Sequence, residues 1–233
     1  TGYQTTVRSV YTEVFLNNKS LGLYCFTENY SEEFLNLNSQ SVLYKGIDNS
    51  VVTFFNQLPD NNPTSSKWAD WEQKFPNPSE RIVWGDFKSL SELIVNGSDA
   101  AFTESIESMI NLDNVIDYYL FINLCGGADN LGKNWQFLKY SPTDKFIIVP
   151  WDLDATWGRN AVGGLQTFEN HLTNRLFDRL RSSNPGNYNE RLRQRWQQLR
   201  SEQFSESHLI ALFSDNFSSL QHSTILETEN RLY

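Results

Sequence analysis

Apolar, aromatic and β-branched residues fill two runs near the start of the chain, Val10 to Leu16 and Leu21 to Glu28, separated by the polar segment Asn17-Asn18-Lys19-Ser20. Strand-forming residues on both sides of turn chemistry predict a β-hairpin. Ser31 followed by Glu32 and Glu33 predicts the cap of a short helix through Leu37, because a hydroxyl and two carboxylates suit the unpaired amides of a first turn. Val42 to Gly46 predicts a further short strand. The stretch Asn56 to Glu80 holds Pro59, Pro63, Pro76 and Pro78 among Asn, Ser and Asp. It predicts a long surface excursion with little regular structure beyond one turn carrying Trp68 and Trp71.

Helical periodicity then takes over. Phe87, Leu90, Leu93 and Ile94 share one face, and Phe102, Ile106, Met109 and Ile110 another. A third helix is expected from an Asp113 N-cap to about Leu124, burying Val115, Ile116, Tyr119, Leu120 and Ile122 and ending at Gly126-Gly127. Trp135 to Tyr140 and Lys145 to Val149, joined by Ser141-Pro142-Thr143-Asp144, predict a second hairpin. From about Asn170 to Tyr233 the pattern is helical, with breaks at Ser182 to Asn187 and near Ser223. Within it the basic run Arg191 to Arg200 carries Leu192, Trp196 and Leu199 at helical spacing, which marks an amphipathic helix rather than a nucleic-acid patch. Hairpins and helices are segregated instead of alternating, so the fold class is α+β.

Composition narrows the function. With 233 residues, 39% of them hydrophobic, the chain can bury a core as one large domain or two lobes. A formal charge of -9 has the wrong sign for a general binder of nucleic acid or anionic membranes, and no apolar run is long enough to span a bilayer. The start, Thr1-Gly2-Tyr3-Gln4, has neither a basic leader nor an initiator Met and reads as an internal fragment or a processed chain. Cys25 and Cys125 form no CxxC and sit among apolar neighbours, so two buried thiols are expected, with a single Cys25–Cys125 bridge as the alternative. Trp68, Trp71, Trp84 and Trp151 are expected to close core edges rather than stack on sugars.

The densest chemistry lies between Gly126 and Gly158. Asp129 and Asn134 precede the second hairpin, and Pro150-Trp151-Asp152-Leu153-Asp154 follows it. A tight hairpin returns the chain to its starting level, so Asp129, Asn134 and Asp152 are expected to converge. Oxygen donors of this kind suit Mg²⁺, which is held by one or two carboxylates together with substrate phosphates. The Asp-x4-Asn spacing, the hairpin and the second Asp follow the order used by protein kinases, with Asp-Leu-Asp where Asp-Phe-Gly is usual. Trp151 and Leu153 suggest partial burial of Asp152. Asp154 reads equally as a second ligand or a local cap.

Five segments carry a family resemblance: Tyr11-Thr-Glu-Val-Phe-Leu-Asn-Asn-Lys-Ser-Leu-Gly-Leu-Tyr-Cys-Phe-Thr-Glu28, Leu43-Tyr-Lys-Gly46, Asp117-Tyr-Tyr-Leu120, Asp129 to Asn134 and Pro150-Trp-Asp-Leu-Asp-Ala-Thr-Trp-Gly158. Together they resemble the spore coat protein H (CotH) kinase family over most of residues 8 to 233. The resemblance implies an atypical protein-kinase-like fold that binds ATP with Mg²⁺ or Mn²⁺ and phosphorylates Ser or Thr of secreted or surface proteins. By position Asp129 is then the catalytic Asp, and Asp152, with Asn134 and Asp154, the metal side of the site. Residues 1–46 would be the remaining N-lobe hairpin, hinge and short strand, and 47–233 the C-lobe. Thr27, Glu28 and Asn29 would form the hinge that meets adenine, and Lys45 is the candidate phosphate lysine, with plain surface charge as its alternative reading. The family's Arg/Gly/Ser-rich motif and following Lys-containing strands are expected upstream of Thr1. Two other functions fit some of the residues: a kinase-like binding or adhesion module, and a nucleotide-sugar glycosyltransferase using Asp152-Leu-Asp154.

Overall fold

The computed structural model describes residues 7–221. The chain divides into two compact units, one made of residues 1–35 and 196–233, the other of Asn36–Arg195.

In the first unit β1 (Ser9–Leu16) and β2 (Lys19–Thr27) pair antiparallel, with Tyr11 opposite Cys25 and Leu16 opposite Lys19. Their turn is only Asn17-Asn18, both left-handed at φ 50° and 62°. Such a two-residue turn needs φ > 0 at both positions, which asparagine tolerates. The expected helix after Ser31 is a single turn: the Ser31 hydroxyl accepts from the Phe34 N–H and its carbonyl from the Leu35 N–H, and Asn36 at φ 52° stops propagation. One turn fixes several dihedrals for few hydrogen bonds, and nothing longer follows to offset that cost.

The second unit is built on a five-stranded antiparallel sheet in the order β4-β5-β3-β6-β7. These are β3 (Val42–Gly46), β4 (Lys67–Trp68), β5 (Trp71–Phe75), β6 (Trp135–Lys139) and β7 (Ile147–Pro150). β3 is central and joins two hairpins: Lys45 faces Glu72 of β5 on one side and Gln136 of β6 on the other. The β4–β5 hairpin corrects the expectation of an irregular excursion. Ala69 and Asp70, at φ 40° and 64°, turn the chain between Trp68 and Trp71. Its prolines flank β5 instead of interrupting it, and Trp71 and Gln73 point inward while Lys74 points out. One sheet face stacks aromatic rings: Tyr44 and Trp71 lie 4.7 and 4.8 Å from Phe87, and Trp135 lies 4.9 Å from Phe137. That cluster accounts for the burial of Trp68, Trp71 and Trp84.

Four helices belong to this unit: α1 (Gly85–Asn96), α2 (Asp99–Met109), α3 (Leu112–Cys125) and α4 (Arg175–Ser183). α1 buries Phe87, Leu90 and Ile94, and α2 buries Phe102 and Ile106, on the faces the periodicity gives. The N-cap of α3 is Asn111, not Asp113; its side chain accepts from the Asn114 N–H at 3.2 Å. Asp113 instead pairs with Arg191 at 2.5 Å. α3 ends at Gly126 in the left-handed conformation, φ 71°, the arrangement glycine adopts without strain. α5 (Tyr188–Ser201) is one amphipathic helix, with Arg195 paired to Asp117 at 2.6 Å. α6 (Glu206–Gln221) starts where the Ser205 hydroxyl accepts from the His208 N–H, a break the apolar pattern does not show. The break expected near Ser223 lies outside the described residues. Cys25 and Cys125 are free thiols; Cys125 is buried, and Cys25 is exposed where burial was expected. Among the described residues no helix is long and apolar enough to cross a membrane.

Candidate functional site

The site grows from the end of α3. After Gly126-Gly127 a 3-10 turn, Ala128–Leu131, carries Asp129, and the chain reaches β6 through Gly132, Lys133 and Asn134. Neighbouring elements hold this loop at several points. The Tyr118 hydroxyl donates to the Asn130 carbonyl at 2.5 Å, the Asn174 amide to the Leu131 carbonyl at 2.9 Å, and the Trp135 indole to the Gly132 carbonyl at 3.1 Å. Asn130 is buried, and its amide donates to the carbonyls of both Asn134 and Trp151 at 2.8 Å. The Trp151 N–H also donates to the Asn134 carbonyl at 2.9 Å. The two ends of the β6–β7 hairpin are thereby fastened, so Asn134 and the Trp151-Asp152 segment leave the sheet together at the hairpin's open end.

Both residues take the left-handed conformation, Asn134 at φ 58° and Asp152 at φ 54°. Asn134 is buried, and no hydrogen bond from another described residue reaches its side-chain amide. Asp152 is exposed, not partly buried, because its neighbours Trp151 and Leu153 are themselves only half-buried and offer it no apolar enclosure. Asp154 is exposed as well. Asp129 is half-buried, with Oδ1 accepting from the Asn49 amide at 3.0 Å and Oδ2 paired with the Lys133 ammonium at 3.2 Å.

Lys45, near the end of β3, places its ammonium 5.5 Å from the centre of the Trp151 ring. Burial lowers its pKa, the nearby Lys74 and Lys133 add to the fall, and Asp152 and Glu72 oppose it. Lys45 and Asp152 therefore act on each other across the hairpin end. Gln136, facing Lys45 on β6, is buried with its Oε1 unpartnered. Among the described residues no group of three or more His, Cys, Asp or Glu side chains is placed to hold a metal ion. The donor set is a carboxylate and an amide with a further carboxylate two residues on, which fits a cation that takes its remaining ligands from water and phosphate rather than an all-protein cage.

Thr27, Glu28 and Asn29 close the hairpin of the first unit. The Glu28 carboxylate accepts from the Arg8 guanidinium at 2.6 and 3.0 Å, which holds its carboxyl below the usual range, and the Glu28 N–H donates to the Arg8 carbonyl. Three residues of the second unit's site escape a reading of the sequence. Asn130 looks like a spacer in Asp-x4-Asn, Lys133 is signalled only by standing one turn beyond Asp129, and Asn49 lies eighty residues from its partner with no local signal.

The loop thus sets an Asp and a Lys close to an Asn and a further Asp at the hairpin end, on an α+β scaffold. The chain belongs to the CotH kinase protein family, whose family model matches residues 4–225. It is similar to the inner spore coat protein H of Bacillus subtilis (strain 168), 24% identical over 213 residues, a match covering 86% of this chain and 56% of that protein. The chain thus spans little more than half the length of this relative.

Proposed function

We propose that this chain carries the phosphoryl-transfer domain of an ATP- and divalent-metal-dependent protein kinase acting on Ser or Thr hydroxyls of secreted or surface proteins. The fold is then an atypical protein-kinase-like one, with residues 1–46 as an N-lobe portion and 47–233 as the C-lobe. The observation that carries this reading is the fastening of the hairpin end that bears Asn134 and Asp152, with Asp129 on the same loop and Lys45 and Lys133 next to them. Membership of the CotH kinase family, and a relative named as a spore coat protein, point the same way for activity and location.

In this reading Asp129 takes the proton of the acceptor hydroxyl. Its Oδ1 accepts one hydrogen bond and its Oδ2 is paired with the Lys133 ammonium, which leaves lone pairs for the substrate. The acceptor oxygen bonds to the γ-phosphorus, the bond to the bridging oxygen breaks, and ADP departs with that electron pair. Asn134, Asp152 and Asp154 would hold Mg²⁺ or Mn²⁺, which when bound neutralises charge on the phosphates. Lys45 meets the same phosphates. Catalysis of this kind rests on positioning and charge stabilisation more than on covalent chemistry. The test is radiolabel transfer from ATP with Mn²⁺ in the full-length protein. Asp129→Asn should slow transfer by about 10² to 10⁴ while ATP affinity stays within severalfold. Transfer at the wild-type rate in that variant would remove Asp129 from the reaction.

A further inference from the structure

A residue remote in sequence grips the proposed base. Asn49 lies just past β3, and its amide Nδ2 donates to Asp129 Oδ1 at 3.0 Å while its Oδ1 accepts from the Lys133 N–H at 3.1 Å. One side chain therefore reads both ends of the turn that carries Asp129. The opposite carboxylate oxygen is held by the Lys133 ammonium at 3.2 Å, so Asn49 and Lys133 together fix the plane of the carboxylate.

Asn49 is itself held by a pre-ordered turn. The buried Thr53 hydroxyl donates to the Asp48 carbonyl at 2.7 Å and accepts from the Ser50 N–H at 3.0 Å, and the Asn49 N–H donates to Asp48 Oδ1 at 2.8 Å. This turn lies flat on the loop because position 132 is glycine. A Cβ there would meet Asn49 Oδ1 at 2.5 Å and run into the Phe54 ring. The Asn134 N–H donates to the Gly46 carbonyl at 3.2 Å, which ties the loop to the strand from which the turn departs.

We infer that Asn49 is a positioning residue for phosphoryl transfer, acting through Asp129 and not through substrate or nucleotide. The inference rests on the assignment of Asp129 as base. A neutral amide donor suits this task, because it fixes the carboxylate without adding a second positive charge beside Lys133.

The experiment measures single-turnover transfer from ATP in the full-length protein, in wild type, Asn49→Ala, Asp129→Asn and the double variant, with KM for ATP in each. Misplacing a catalytic group by about 1 Å costs on the order of 10²-fold, so Asn49→Ala should lower kcat by roughly 10- to 100-fold and leave KM for ATP within about twofold. In the Asp129→Asn background the same change should alter the residual rate by less than about twofold, because residues acting as one unit are not additive. A merely structural role would slow both backgrounds alike, and that result overturns the inference. Asn49→Asp guards against misfolding. It keeps the shape and the acceptor for the Lys133 N–H but turns a second carboxylate on Asp129, so a folded Asn49→Asp protein should also lose kcat. If Asp129→Asn is slowed while Asn49→Ala and Asn49→Asp run at the wild-type kcat, the positioning role falls and the base assignment stands. If Asp129→Asn transfers normally, both fall.

Discussion

Gly46→Ala tests whether the contact between β3 and the Asp129 loop is as tight as the geometry indicates. A methyl at this buried position would stand 2.5 Å from the Gly132 carbonyl oxygen and 3.0 Å from Trp135 Cδ1 and Nε1. The first obstacle is backbone and the second a fully buried indole, so neither can step aside cheaply. Overpacking of this kind costs about 1–3 kcal/mol. The Trp135 indole donates to that same Gly132 carbonyl, and weakening the bond adds about 1 kcal/mol. At about 2–4 °C per kcal/mol for a domain of this size, Gly46→Ala should melt roughly 5–15 °C below wild type. Transfer activity should fall with it, because the loop can relieve the clash only by moving Asp129 and Asn134. Gly85→Ala is the control. It opens α1 with nothing within 4 Å of the added carbon, so it should hold or raise stability by about 0.4–1 kcal/mol. Differential scanning calorimetry on both variants decides the matter. A Gly46→Ala protein melting within about 2 °C of wild type would refute the packing argument.

Two further outcomes follow from the charged groups. Asp152→Asn should abolish Mn²⁺-dependent strengthening of binding of a non-hydrolysable ATP analogue in titration calorimetry, since the neighbouring Asn134 brings no charge to replace the carboxylate; unchanged metal dependence would contradict the ligand role. For Lys45 the folded pKa lies below the ordinary 10.5, so the unfolded chain binds more protons in that window and stability rises with pH as the penalty on the buried ammonium is relieved. Lys45→Met removes that penalty. Its melting temperature relative to wild type should be highest near neutral pH and decline towards pH 10.5, while nucleotide affinity drops; a pH-independent difference would count against burial as the cause.

Where apolar spacing alone decides an element, the sequence is a good guide: both outer hairpins, the inward faces of α1 and α2, and the glycine that ends α3 are legible from it. The β4–β5 hairpin is not, because Ala69 and Asp70 take left-handed turn positions without glycine and the surrounding prolines imitate a loop. The Asn111 cap is obscured by Asp113, an equally good cap by type that is drawn off by Arg191. At the proposed site, Asp129, Asn134 and Asp152 could be put forward together because a hairpin brings its two ends together, which is a local rule. Asn49 meets Asp129, eighty residues away, only because β3 pairs with β6, and so distant a strand register leaves no trace in local pattern. The exposure of Asp152 is hidden for another reason: apolar neighbours at i−1 and i+1 say little about the residue between them, and Trp151 and Leu153 are themselves only half-buried.

The left-handed backbone of Asn134 and Asp152 also decides which substitutions are informative. For a residue with a Cβ this conformation costs about 1–2 kcal/mol, and asparagine and aspartate adopt it more readily than most because their short polar side chains bond locally. Alanine at 134 or 152 would therefore remove a proposed ligand and strain the loop in one step. Glycine removes the ligand and relaxes the loop, so the stability gap between the Gly and Ala variants measures the strain alone. Glutamate keeps the charge at 152 but loses the backbone preference. Chain geometry thus asks for the same two residue types at these positions, and exchange between asparagine and aspartate leaves the hairpin end undistorted while changing the charge it presents.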